Sequence, residues 1–126
     1  MTHITGHNFI GGQRSGAGTV QLQSVDASTG EALPYHFIQA TEAEVNAAVS
    51  AANTAFPAFR NLPAVRRAEF LEAIAEEIDA LGDDFVAIVC RETALPPARI
   101  QGERGRTSGQ MRLFANVLRR GDFYGE

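Results

Sequence analysis

The side chains that could do chemistry are few and scattered. Cys90 is the one thiol, and His3, His7 and His36 are the only imidazoles. One cysteine with three histidines falls short of a structural zinc set. His3 and His7 stand four apart, a ligand spacing only on a helix, and Gly6 between them argues against one. Cys90 follows Val86 and Val89 with no histidine or asparagine near it in sequence. It is expected to be a buried thiol behaving as a small hydrophobe, not a low-pKa nucleophile. His36 alternates within an extended run, where a solvated or hydrogen-bonded ring is expected rather than a catalytic one.

Two denser constellations invite sharper readings. Gly102-Glu103-Arg104-Gly105-Arg106-Thr107-Ser108-Gly109 is glycine-rich. Its spacing is not G-x-G-x-x-G, no strand precedes it, and no P-loop lysine follows. Three interior glycines cost a helix about 1 kcal/mol each relative to alanine, so close approach of another backbone to that face is expected. Arg99, Arg104, Arg106, Arg112, Arg119 and Arg120 could point to nucleic acid, but they spread around a helix in a net acidic chain. Ion pairing with the acidic middle of the chain, or with a partner surface, accounts for them better. The acidic pairs Glu76-Glu77 and Asp83-Asp84 read as helix-surface and cap residues, with no carboxylate pair in an apolar setting. No residue is assigned a catalytic, cofactor-binding or metal-binding role.

The 126 residues have the length of one small domain, with a net charge of -4 and 44% hydrophobic residues. Such a chain is not intrinsically disordered. All eleven cations are arginine, which rules out a Schiff-base lysine, a phosphate-gripping lysine and a lysine general base within this stretch. No apolar run could span a bilayer, and Met1-Thr2-His3-Ile4-Thr5-Gly6 lacks a secretory signal's apolar stretch. A cytoplasmic location, with no membrane and no nucleic-acid partner, is expected. Charge divides the chain into residues 1–40 at -1, 41–97 at -6 and 98–126 at +3.

The elements follow the same division. In residues 1–40, Asn8-Phe9-Ile10 runs into a Gly11-Gly12 turn, and Gly16-Ala17-Gly18 marks a flexible tip. Thr19 to Val25 alternates, Asp26 to Gly30 turns, and Leu33, Tyr35 and Phe37 alternate with Pro34, His36 and Ile38. Pro34 makes this last strand an edge, or starts it later. Two or three short strands, forming an N-terminal β-hairpin region, are therefore expected. Residues 41–126 read as about four helices. Thr41-Glu42-Ala43-Glu44 is a capping box opening a helix with a Val45, Ala48, Val49, Ala52, Phe56 stripe, ended or kinked by Pro57. A second helix after Pro63 turns Phe70, Leu71, Ile74, Ile78 and Leu81 inward and Glu69, Glu72, Glu76 and Asp79 outward, with Gly82 as its cap. Asp83 or Asp84 caps a third, with Phe85, Ile88 and Val89 inward, stopped at Pro96-Pro97. The last runs from Pro97 to Arg120, with Ile100, Arg104, Thr107, Met111, Phe114 and Leu118 on one face. Such a helix is roughly 36 Å long, against a radius of gyration of about 13–14 Å for a domain of this size. It implies a body larger than the chain.

Read in order, these features resemble the start of an NAD(P)-dependent aldehyde dehydrogenase. The resemblance rests on Phe9-Ile10-Gly11-Gly12, Val25-Asp26-Ala27-Ser28-Thr29-Gly30-Glu31 and Ala40-Thr41-Glu42-Ala43-Glu44-Val45. Ala55-Phe56-Pro57-Ala58-Phe59-Arg60, Arg66-Arg67 and Glu92-Thr93 continue it. The usual Asn-Pro before Ala-Thr-Gly-Glu is here Asp26-Ala27 followed by Ser28, and the usual Glu-Thr-Gly-Lys-Pro is Glu92-Thr93-Ala94-Leu95-Pro96. With Gly6-His7-Asn8-Phe9-Ile10 and residues 99–107, the chain is most similar to the 2-oxoglutarate semialdehyde (2,5-dioxovalerate) dehydrogenase branch.

The resemblance implies an α/β parent fold, of which this chain is a mainly α N-terminal fragment. It implies a strand region at 1–40 and, at 41–126, a helical part of the coenzyme-binding domain. The whole enzyme would oxidise an aldehyde to a carboxylate with NAD or NADP through a cysteine thiohemiacetal and thioester. The oxyanion-hole asparagine, cofactor lysine, glycine turn, general-base glutamate and nucleophilic cysteine of the family have no counterpart here, and Cys90 does not match the catalytic position. The fragment alone is expected to be inactive and to bind no cofactor. Its partners would be the remainder of the enzyme and homo-oligomer subunits, and its uncovered apolar faces would drive self-association. The rival expectation is a self-contained helical interaction module without catalysis.

Overall fold

The computed structural model describes residues 3–124. Met1 and Thr2, with which the stretch read for a secretory signal begins, lie outside the described residues, as do Gly125 and Glu126. Contacts group the chain into two units, Met1–Arg60 and Asn61–Glu126.

The first unit opens with two hairpins and closes with a helix. β1 (Asn8–Ile10) pairs antiparallel with β2 (Gln13–Ser15), with Ile10 opposite Gln13. Gly11 and Gly12 make the two-residue turn at φ 58° and 79°, the doubly left-handed geometry that a tight hairpin requires. β3 (Gln21–Val25) pairs antiparallel with β4 (Ala32–Ile38). Among the described residues four strands thus stand where two or three were expected, because the short Gln13–Ser15 strand carries no alternation to betray it. Pro34 lies within β4, not before it, at the irregularity where the register slips between Gln23 and Val25. There its missing donor breaks no ladder bond. Leu33 beside it is 2% exposed.

The Gly16-Ala17-Gly18 segment is packed rather than a free tip. A Cβ on Gly16 would lie 2.7 Å from the His7 ring, and one on Gly18 would lie 2.3 Å from the Gln39 carbonyl oxygen. Only glycine lets the backbone come so near. α1 (Glu42–Arg60) then opens on the capping box. The Glu44 amide donates to the Thr41 hydroxyl at 3.1 Å, and the Thr41 amide donates to the Glu44 carboxylate at 3.0 Å. Pro57 neither ends nor delimits this helix, which runs on to Arg60. A proline so near the C-terminal end forfeits one bond within a turn that was about to end.

The second unit is helical. α2 (Ala64–Asp79) starts after Pro63, α3 (Asp83–Thr93) follows, and α4 (Pro97–Arg120) is 24 residues long with Pro97 in its first turn. Two expected caps differ. Ala80, not Gly82, closes α2, and Gly82 is the N-cap of α3, with Asp83 and Asp84 inside its first turn. There the two carboxylates face the positive end of the helix dipole without capping a donor.

α2 and α4 form the main packed pair. Their contacts descend one helix as they climb the other, which makes the pair antiparallel. Arg119 meets Glu72, Arg112 meets Asp79, and Arg104 donates to the Leu81 carbonyl near the far end. Between them lie Ala68, Ala75, Ser108 and Ala115, all fully or nearly fully buried. Small side chains at seven-residue steps let the two backbones approach. This corrects one expectation, that these carboxylates face outward. Glu72 and Asp79 face α4 and are paired with arginine. The buried face of α4 runs through Ile100, Ser108 and Ala115, with Thr107 and Phe114 exposed. The close-approach residues of this helix pair are those alanines and Ser108, and the glycine face of α4 takes no part in it.

Candidate functional site

The chemical side chains do not converge. Cys90 is half-buried inside α3, and its carbonyl accepts the Ala94 amide at 2.8 Å. His7 lies against Gly16, and His36 sits on β4 opposite Gln23. Among the described residues no group of three or more His, Cys, Asp or Glu side chains could hold a metal ion. No described helix is long and apolar enough to cross a membrane. The glycine-rich run lies wholly inside α4, so its amides are committed to helical bonds and cannot cradle a phosphate.

Arg66, Arg99, Arg112, Arg119 and Arg120 pair with carboxylates. Arg119 grips Glu72 with two parallel bonds, Nε to Oε1 at 2.8 Å and a terminal nitrogen to Oε2 at 3.0 Å. That pairing holds the Glu72 carboxyl below its ordinary range and raises the Arg119 guanidinium. Asp79 is likewise held low, by the Ser108 hydroxyl and then by Arg112 at 2.8 Å. Ser108 has one hydroxyl proton and a second acceptor, the Gly105 carbonyl at 3.2 Å. These are α2–α4 ties, and they engage Arg112 and Arg119 with the carboxylates of Asp79 and Glu72.

The surface that is organised is apolar. Phe70, Ile74 and Ile78 of α2 and Leu81 just after it, expected inward, line an open groove of about 410 Å³ with Ala73 and Glu77. Ile78 and Leu81 continue into a second groove of about 340 Å³, walled by Phe85 and Val89 of α3 and Ile100 and Thr107 of α4. The true inward face of α2 is the Ala68 and Ala75 side, one step around the helix. On α1 the expected stripe exists but faces out, with Val49 64% exposed and Phe56 57% exposed. A Cβ on Gly102, Gly105 or Gly109 would meet nothing within 4 Å, so the glycine face of α4 is open as well. Grooves and seams of this kind receive other elements of a larger fold. Sequence periodicity found the apolar residues but could not say which faces would be covered.

The sequence profile of the aldehyde dehydrogenase family matches residues 14–125. This chain belongs to the aldehyde dehydrogenase family. It is 44% identical over 125 residues to the alpha-ketoglutaric semialdehyde dehydrogenase of Acinetobacter baylyi, covering 99% of this chain and 24% of that protein. It is 47% identical over 121 residues to alpha-ketoglutaric semialdehyde dehydrogenase 2 of Azospirillum brasilense, covering 95% of this chain and 23% of that one. The N-succinylglutamate 5-semialdehyde dehydrogenase of a Caulobacter species is 35% identical over 109 residues. The chain thus spans about a quarter of the length of these relatives. The organised apolar faces belong to a family member whose relatives are about four times as long.

Proposed function

We propose that this aldehyde dehydrogenase chain is the N-terminal segment of an enzyme that oxidises 2-oxoglutarate semialdehyde to the dicarboxylate with NAD or NADP. The observation that carries the substrate is the 44% and 47% identity to two relatives named for alpha-ketoglutaric semialdehyde, against 35% to one named for another semialdehyde. In this reading the strands of residues 1–40 and the helices of residues 41–126, the latter as part of the coenzyme-binding domain, support the reaction and do not perform it. The whole enzyme is then a cytoplasmic homo-oligomer.

The residues of this chain do not fit a dinucleotide. The family generally uses NAD or NADP, yet here the glycine-rich run lies within a helix and lysine is absent. No step of the reaction is assigned to the segment. The test of the substrate is steady-state kinetics on the product of the whole reading frame that contains these residues. We expect kcat/KM for alpha-ketoglutaric semialdehyde to exceed that for N-succinylglutamate 5-semialdehyde by at least about tenfold. The reverse order overturns the substrate assignment and leaves the family intact.

A further inference from the structure

Glu44 is 6% exposed, and its carboxylate is shared between two elements. Oε1 takes the Thr41 amide at 3.0 Å and the Thr41 hydroxyl at 3.3 Å, within the α1 capping box. Oε2 takes the Ser15 hydroxyl and, at 3.4 Å, the Ala17 amide, both from the end of β2 and the segment after it. A capping box accounts for the first oxygen alone. The second reaches across 29 residues of sequence to another element.

The hairpin that Oε2 holds packs on α1 through β1, and Oε2 adds a polar tie at its Ser15 end. Its strands are three residues each, a size marginal on its own. Phe9 is 73% exposed, and a Cβ added at Gly11 in its turn would come only to van der Waals distance of the Ala51 methyl, 3.8 Å. Its other anchor is to β4, where the Asn8 amide side chain donates to the Ile38 carbonyl at 3.1 Å and the Ile38 amide donates to the Gly6 carbonyl at 3.0 Å. We infer that Glu44 is a clasp tying the β1–β2 hairpin to the start of α1, and that protonating its carboxyl releases the hairpin at the Ser15 end while the β4 anchor holds.

The surroundings favour a carboxylate held by neutral donors. The charged or titratable groups on the elements around it are His7 against Gly16, Tyr35 and His36 on β4, Arg14 on β2, and Glu42 in the first turn and Arg60 in the last turn of α1. Arg14 is turned away, over the Phe9 ring at 5.5 Å and onto the Thr5 hydroxyl at 3.3 Å. Among the described residues no ion pair involves Glu44. Hydrogen bonds from Ser15 first, and then from the Thr41 amide, hold the carboxyl below its ordinary range. The sign follows: with the folded pKa depressed, the clasp is intact above the ordinary carboxylate range and is lost as pH falls through the folded value.

Hydrogen exchange on the whole chain tests this. Glu44→Gln keeps an acceptor for Thr41, as capping boxes with glutamine do, but can turn an NH₂ group onto Ser15 and Ala17. Ser15→Ala leaves the capping box untouched. At neutral pH both variants are expected to lower protection of the hairpin amides and Ala17 at least about tenfold, with the Ile38 amide unchanged. The parent chain should show the same selective loss on acidification, and Glu44→Gln should not. Equal hairpin protection in all three proteins overturns the inference. So does a loss at Ile38 that matches the loss in the hairpin, because that is general destabilisation.

Discussion

Ala94 stands at the C-terminal end of α3 in the left-handed region, φ 62°, the one non-glycine there among the described residues. An L side chain in that region crowds its own carbonyl by about 1–2 kcal/mol, and helices that end this way usually use glycine. The sequence departs from the family's usual Glu-Thr-Gly at this same residue. Ala94→Gly is therefore expected to raise unfolding stability by about 1 kcal/mol, read as the midpoint shift in urea. No change, or a loss, would mean that the alanine methyl makes a compensating contact. This residue also shows what was legible. The mismatch with the pattern was visible in the letters, while the backbone angle that gives it meaning was not.

At the scale of elements, helix existence was easy to read and helix facing was not. Thr41 and Glu44 announce α1, and Pro63 and Pro97 announce α2 and α4, because caps and prolines act locally on the backbone. Facing depends on what lies opposite. Phe70 and Ile74 satisfy a helical period as well as Ala68 and Ala75 do, but the antiparallel α2–α4 contact selects the small residues. Periodicity weighted by hydrophobicity points to the larger side chains, and so it points to the wrong wall. The glycines of α4 make the same case. Gly105 lies in open helix surface, where alanine would meet nothing within 4 Å. Gly105→Ala should stabilise this chain by about 0.5–1 kcal/mol, by removing backbone freedom from the unfolded state. Thermal unfolding checks it, and a lowered midpoint would place a neighbour against that face in solution.

At the scale of the whole molecule, the exposed surface is too large for the mass. Even two separate compact bodies of these sizes would expose about 7,900 Å², whereas the chain exposes 8941 Å². The α1 stripe, the α2 and α3 grooves and the glycine face are uncovered, and on this account they receive other parts of an aldehyde dehydrogenase. The absent lysine and the uninvolved Cys90 then belong to a supporting segment and not to a reaction centre. The measurement that bears on this most directly compares two purified proteins: the 126-residue chain and the product of the whole reading frame containing it. Each is given alpha-ketoglutaric semialdehyde with NAD and with NADP, and reduced cofactor is followed. Turnover by the longer protein and none by the chain alone is the predicted result. Turnover by the 126 residues alone, or inactivity of the longer protein with both cofactors, would contradict it.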